Sequence, residues 1–451
     1  MQITSSSPNS RGLNRVFIVD GGRIPFQRSG TTYRHRNPYQ LSKKAISSLL
    51  HRQPELKDRI EFITLGTVIQ DVNTSNLARE AALGAGLSPS IPAITETMAC
   101  ISSNAAINRI ADAIALGRID VGLAAGAESM SDIPIRLSKR LRQALLNSRS
   151  AKSFPQLLGH FSSIRPRDLK PDIPSISEFS TGETMGKSCD RMVMRYGVNR
   201  QEQDQFALRS HDLAFQAHQN GRYTDELLDA SDEPDFQSIT DENGIRGNST
   251  LEKLSKLKPA FESSYGTVTA GNASFLTDGA SAMILASEKG LTNAGISPLA
   301  EIVGSLFTAK DPETDLLIGP ALAIPRLLRS LGLTLQNIDV IEIHEAFAGQ
   351  VLSLLNALNS QVFFRNHLPD HSPIGELDMT KLNLWGGSLA IGHPFGATGI
   401  RLVSTAARRL HHENGELALI ASCAAGGQAH AMVIRRVDKV SELSRKRGGV
   451  S

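Results

Sequence analysis

Two cysteines and two histidines carry the chemistry open to this sequence. Cys100 stands in Thr97-Met98-Ala99-Cys100-Ile101-Ser102-Ser103-Asn104, between an expected strand and the start of an expected helix. A helix N-terminus favours an anion, so the position predicts a nucleophilic thiolate of lowered pKa. The alternative is a small core cysteine, the commoner fate of a lone Cys. His393 lies in Gly386-Gly387-Ser388-Leu389-Ala390-Ile391-Gly392-His393-Pro394-Phe395-Gly396-Ala397-Thr398-Gly399. Glycines there allow tight turns and close backbone approach, and a histidine on such a loop can act as a base near neutral pH. The loop does not fit GxGxxG, so a dinucleotide fingerprint is rejected. Cys423, in Ser422-Cys423-Ala424-Ala425-Gly426-Gly427-Gln428, ends an expected strand at a glycine turn and is expected to face a site. His344-Glu345 opens like HExxH, but residue 348 is Ala, which rejects a zincin site. Gly266–Ser274, followed by Thr277–Ala282, is rich in small residues that suit close approach of a ligand.

These residues need a scaffold, and hydrophobic periodicity supplies one. Strands are expected at Arg15–Asp20 (ended by Gly21-Gly22), Phe62–Val68, Ala93–Thr97 and Val121–Ala125 (closed by Gly126). Helices are expected at Pro38–Leu50, Asn76–Leu83 and Ile101–Leu116. The second half repeats the plan. It has strands at Ala300–Val303, Val340–Ile343 and Leu417–Ser422, and helices at Ala346–Leu358 and Gly399–Leu410. The alternation is an α/β pattern, and the repetition suggests an internal duplication. Between the halves, residues 137–275 are richer in polar residues, Pro and Arg. From Arg136 to Lys170 nine basic residues (Arg136, Lys139, Arg140, Arg142, Arg149, Lys152, Arg165, Arg167 and Lys170) face a single acid, Asp168.

Bulk properties exclude several classes. A net charge of +3 and 5% aromatic residues give no support for nucleic-acid binding. Cys100, Cys189 and Cys423 are odd in number, far apart and without a CxxC pair, against a disulfide framework or a cysteine zinc site. A reducing compartment follows, most simply the cytoplasm. The polar, Ser-rich start lacks the apolar run of a signal peptide, and no segment approaches a membrane span.

Together and in this order, the motifs resemble the thiolase family, from about Arg15 to Arg435. Within it the chain looks most like the thiolase (β) subunits of fatty-acid oxidation trifunctional complexes, on Ser131-Asp132-Ile133-Pro134-Ile135-Arg136, Glu178-Phe179-Ser180-Thr181, Ile245-Arg246 and Trp385-Gly386-Gly387-Ser388. It departs from most thiolases in having His344 for Asn, Ala425 for Gly and Thr184 for His; the trifunctional β subunits share the His. The resemblance implies a thiolase fold: two duplicated α/β halves in an α-β-α-β-α layering, with an inserted, mostly helical loop domain. The implied boundaries are 14–136 (completed by about 276–296), 137–275 and 297–438, with flexible tails at 1–13 and 439–451.

The implied activity is acetyl-CoA C-acyltransferase: CoA cleaves a 3-oxoacyl-CoA to acetyl-CoA and a shortened acyl-CoA, through acyl-Cys100, in fatty-acid β-oxidation. Cys100, His393, Cys423 and His344 are the implied catalytic residues. One oxyanion hole would be the N–H groups of Cys100 and Ala425, the other His393 with a water held by His344. Ser274, Met185, Phe261 and Ala270 would contact CoA or substrate. No metal or cofactor is implied, since CoA is a substrate. The implied partners are a second copy, a hydratase/dehydrogenase α subunit in a heterotetramer, and peripheral contact with a membrane. The alternative is a biosynthetic acetoacetyl-CoA thiolase, from which the basic stretch after Arg136 distinguishes this chain. Condensing enzymes share the cysteine, but Cys423 argues against them; the intact reactive set argues against a mere acyl-CoA-binding subunit.

Overall fold

The computed structural model describes residues 3–4, 12–172, 177–231 and 239–438, so most of both expected tails lies outside the described residues. Eleven strands are found among them: β1 Ile3–Thr4, β2 Val16–Arg23, β3 Gln27–Arg28, β4 Phe62–Gly66, β5 Ala93–Glu96, β6 Val121–Glu128, β7 Thr277–Ser287, β8 Ala300–Ala309, β9 Val340–Ile343, β10 Leu417–Ala424 and β11 Gln428–Arg436. The main path runs β5-β4-β6-β7-β2-β8-β11-β10-β9, with β1 beside β8 and β3 beside β7. Among the described residues, its two halves pair through Phe17 opposite Glu301 and Ile18 opposite Ala300.

Every residue of β2, β6, β7 and β10 is buried, because both faces of the sheet are covered. Alternate residues serve different cores. Phe17 and Val19 pack outward with the helices Pro38–Arg52 and Leu77–Gly84. Val16 and Ile18 pack inward with Ser102–Ala115 and Thr398–His412. On the far side, Leu419 and Val433 pack with Pro320–Ser330 and Ala348–Leu358. Two sheets' worth of strands thus alternate with three helical layers, the thiolase layering the sequence implies.

Glycines expected to end strands do not. β2 continues through Gly21-Gly22 and β6 through Gly126. At Gly22 a Cβ would come 2.4 Å from the carbonyl oxygen of Glu226, and at Gly126 1.9 Å from that of Gly396. These glycines admit neighbouring backbone and do not turn the chain.

Among the described residues, the inserted stretch has no core of its own. Cys189, Met192, Val193 and Phe206 join the core of the C-terminal half, and Ala214 packs with Trp385 and Ile391. Standing apart are the helices Lys139–Ser148 and Phe154–Phe161, packed on each other, with only Ala144 buried between them.

Candidate active site

The peptide before Cys100 is bent into an unusual conformation. Ala99 has φ +47°, a left-handed value that costs a residue with a Cβ about 1–3 kcal/mol. Ser102 holds the turn closed: its Oγ accepts from the N–H of Met98 at 2.8 Å and donates to the Ala99 carbonyl at 2.6 Å. The thiol is thereby presented ahead of the helix Ser102–Ala115, where the backbone dipoles of Ala425 and of Cys100 itself favour its thiolate.

His393 follows Gly392, whose φ of +105° only glycine adopts readily. Its N–H donates to Thr277 Oγ1 at 3.0 Å, and its Nδ1 lies 2.6 Å from Thr398 Oγ1. The Thr398 hydroxyl is also 3.0 Å from the Pro394 carbonyl; when it donates there, its oxygen takes the Nδ1 hydrogen and Nε2 is left as the ring's lone pair. Nε2 is buried and has no partner among the described residues, the state of a base awaiting its proton. Cys423 ends β10 just before the turn of Gly426 and Gly427, buried but opening on the same space.

His344 directly follows β9, its N–H donating to the Ala421 carbonyl at 2.8 Å. It does not line the cavity but stands one layer behind, its ring centroid 4.1 Å from that of His393. The next residue, Glu345, fastens the loop before His393. Its carboxylate accepts from Ser210 at 2.6 Å, Asn383 Nδ2 at 2.7 Å and the N–H of Leu389 at 3.3 Å.

A mainly apolar cavity of about 690 Å³ joins these groups. Cys100, His393, Cys423 and Ala425 line it, as do all four expected binding residues, Ser274, Met185, Phe261 and Ala270. Phe261 and Phe347 meet edge to face across it, centroids 6.0 Å apart.

Burial overturns one expectation. The Cys100 thiol is pushed up to about 11, not down: desolvation outweighs the two N–H groups that favour the thiolate, and the nearby Glu128 carboxylate adds to the rise. A helix terminus contributes about 0.3–1 kcal/mol, too little to offset burial. Burial also raises the Cys423 thiol, holds His393 down to about 3, and holds His344 well below the usual histidine value. At neutral pH the resting site therefore has two protonated thiols and two neutral imidazoles.

This order of motifs on this fold has known counterparts. The thiolase N-terminal domain model matches residues 16–289, and the thiolase C-terminal domain model matches 296–436. The chain belongs to the thiolase family. Among its relatives, the mouse mitochondrial trifunctional enzyme subunit beta is 48% identical over 97% of this chain and 90% of its own length. A probable 3-ketoacyl-CoA thiolase of Caenorhabditis elegans is 46% identical, covering 96% and 97%. The crystal structure of human mitochondrial 3-ketoacyl-CoA thiolase superposes with a TM-score of 0.80 at 29% identity, covering 95% of this chain and all of that one.

In this thiolase, sequence reasoning missed several residues. Glu128, buried at the end of β6, accepts from the N–H groups of Val68, Ile69 and Gly396, tying the Cys100 side of the cavity to the His393 loop. Arg28 lines the cavity and lies 3.9 Å over the Phe275 ring; Arg246 lines it too, and entered the sequence reading only through the Ile245-Arg246 motif. Arg28 comes from a two-residue strand too short to leave a periodic signal. Glu178, whose carboxylate takes the N–H of Gly426 at 2.6 Å, entered the sequence reading only through a motif, with no role attached.

Proposed function

We infer that the chain is a 3-ketoacyl-CoA thiolase (acetyl-CoA C-acyltransferase) of fatty-acid β-oxidation. The observation that carries this reading is the meeting of Cys100, Cys423 and the free Nε2 of His393 at one apolar cavity. His393 Nε2 takes the Cys100 proton as the sulfur attacks the 3-oxo carbon. The Cα–Cβ bond breaks, and Cys423 protonates the departing acetyl-CoA enolate. The Cys423 thiolate then takes the proton of a second CoA, which attacks acyl-Cys100. The shortened acyl-CoA leaves, and His393 returns its proton to Cys100. Covalent catalysis thus divides one hard step into two.

The N–H groups of Cys100 and Ala425 serve the oxyanion on the acyl carbon, and His393 with His344 serves the enolate oxygen. Met185, Phe261, Ala270 and Ser274 contact the acyl-CoA, and the guanidinium groups of Arg28 and Arg246 suit its phosphates. None of these steps calls for a metal or a bound cofactor. The direct test is to mix the protein with a 3-oxoacyl-CoA, follow acetyl-CoA release, and map the trapped acyl group by peptide mass spectrometry. Acylation at Cys100 supports the reading, and acetyl-CoA formation without it defeats it.

The partners form part of the same proposal. We read the chain as a homodimer that joins a hydratase/dehydrogenase α subunit; the name of the mouse relative, a trifunctional enzyme subunit beta, supports an assembly with another subunit. The helical hairpin at 139–161 supports a further surface contact. Leu145, Leu146, Phe154 and Leu158 are exposed on it beside Lys139, Arg140, Arg142 and Arg149, a combination that fits an anionic membrane face. The same hairpin favours this reading over a biosynthetic acetoacetyl-CoA thiolase. A reducing compartment agrees with three unpaired cysteines. The cytoplasm is the simplest one, and cell fractionation decides between it and the mitochondrion named for the mouse relative.

A further inference from the structure

We propose that Ser388 and Arg401 fix His344 in the tautomer bearing hydrogen on Nε2, so that it faces the reaction as a hydrogen-bond donor; both are positioning residues. The inference rests on the thiolase reading above and adds the origin of the donor.

Arg401, Ser388 and His344 are each 0% exposed, so no bulk water completes their hydrogen bonds. Arg401 Nη2 donates to Ser388 Oγ at 2.9 Å, and a guanidinium has no lone pair to give back. The Ser388 hydroxyl hydrogen must therefore point elsewhere. The acceptor in reach is His344 Nδ1, 3.1 Å away. A neutral imidazole that accepts on Nδ1 carries its hydrogen on Nε2.

The ring stays neutral because it is buried, beside the His393 ring and the Arg401 charge. Arg401 is itself steadied by Glu342, whose Oε2 lies 3.5 Å from Nη1 and whose Oε1 is 2.7 Å from Arg409. The Nε2 of His344 has no partner among the described residues. A buried donor left free in this way calls for an oxygen, either the enolate oxygen or a water that bridges to it. His393 is arranged the opposite way, its Nδ1 hydrogen spent on Thr398 and its Nε2 left as a lone pair. Neighbouring rings thus present complementary edges, a base and a donor, each set by a hydroxyl behind it.

The hydrogen on His344 is needed only where an enolate forms. Two reactions separate it from the rest of the site. Thiolysis of a 3-oxoacyl-CoA breaks a carbon–carbon bond and passes through the enolate. Exchange of a plain acyl-CoA with labelled CoA forms acyl-Cys100 without one, and so calls on the N–H groups of Cys100 and Ala425 as its only oxyanion donors. Loss of one well-placed donor costs about 10²–10³ in rate, and loosening its tautomer should cost about ten-fold. Ser388→Ala should therefore slow thiolysis by about ten-fold and leave acyl exchange unchanged. A general packing defect would slow both.

A second background sharpens the test. In His344→Asn the side-chain amide carries its own N–H whatever Ser388 does, so adding Ser388→Ala should have no further effect on thiolysis. If Ser388→Ala does not fold, Ser388→Cys, whose thiol is only a weak donor, should show the same selective loss to a smaller degree. The proposal is overturned if the Ser388 variant thiolyses normally, if thiolysis and exchange fall together in folded protein, or if the loss persists in the His344→Asn background. A wild-type protein that performs neither reaction would instead defeat the functional reading.

Discussion

The rings of His344 and His393 lie with centroids 4.1 Å apart, tilted by 45°, and the Nε2 of each is buried without a partner among the described residues. Two positive rings so close would repel, and burial already disfavours charge on either one. The site therefore stores no ion pair at rest. Charge appears only as the reaction proceeds, at places where N–H groups are already aimed, which is where fixed dipoles contribute most to rate.

The pH dependence follows from this. His393 must be neutral to accept a proton, and its pKa is held down to about 3, so protonation removes activity only near that value. Cys100 must hold the proton that His393 takes up, and its pKa is pushed up to about 11, so that proton is lost only near there. His393 and Cys100 should then place no limb on kcat/KM between about pH 5 and 9, and any inflection near 7 should belong to Glu128 and vanish in Glu128→Gln, because kcat/KM reports the free enzyme's groups. A pre-formed thiolate–imidazolium pair predicts an acidic limb inside that range. Initial rates of thiolysis in overlapping buffers distinguish the two.

The two catalytic thiols should separate on mutation. Cys423→Ser removes the acid for the enolate but leaves Cys100, His393 and the N–H of Ala425 in place. Thiolysis should fall by about 10²–10⁴, the usual contribution of a positioned acid or base. A plain acyl-CoA should still acylate Cys100, as read by intact mass. Near-normal thiolysis in the variant would remove Cys423 from the mechanism.

Glu128 links stability to pH. Burial raises its carboxyl to about 7 from an ordinary 4.5, so between those values the folded state holds a proton that the unfolded state has released. The group favours folding at low pH, and that contribution is lost as pH rises through about 7. Glu128→Gln cannot ionise and keeps only one oxygen for the N–H groups of Val68, Ile69 and Gly396. It should be less stable at pH 5, by about 1–3 kcal/mol for an orphaned buried donor, and should lose less Tm than the wild type on going to pH 7.5. Parallel slopes in thermal melts of the two proteins would rule out this linkage.

The sequence showed its scaffold where periodicity was strong, and its site where unusual residues met glycines. The helices at 38–52, 102–115 and 398–412 fall within a few residues of the expected ones. The strand β11 was not foreseen, because Gln428 to Ile434 mixes polar residues with a continuous apolar run and gives no sustained two-residue alternation. Charge at Cys100 was misjudged for a different reason. A helix N-terminus is visible in a sequence, whereas the desolvation that outweighs it comes from chain hundreds of residues away. Glu128 was illegible on the same ground, since nothing local marks a carboxylate whose partners lie at 68, 69 and 396.

The basic hairpin gives the last test. Its helix Lys139–Ser148 is capped by Ser138, whose Oγ accepts from the N–H of Leu141 at 3.3 Å. The hairpin's charges are only loosely neutralised: Arg140 lies 3.7 Å from Asp168 and Arg142 3.7 Å from Asp172. Leu146 is 60% and Phe154 70% exposed, more apolar surface than a purely solvated helix needs. Each Lys or Arg near an anionic bilayer contributes about 1 kcal/mol, and added salt screens it. Replacing Lys139, Arg140 and Arg142 by Glu should sharply weaken sedimentation with phosphatidylserine-containing vesicles. The wild-type interaction should itself fade with salt, and thiolysis of a short soluble substrate should be unaffected, since none of the three lines the catalytic cavity. Vesicle binding that survives the reversal would mean that the hairpin does not face a membrane, and loss of activity as well would mean that it supports the site directly.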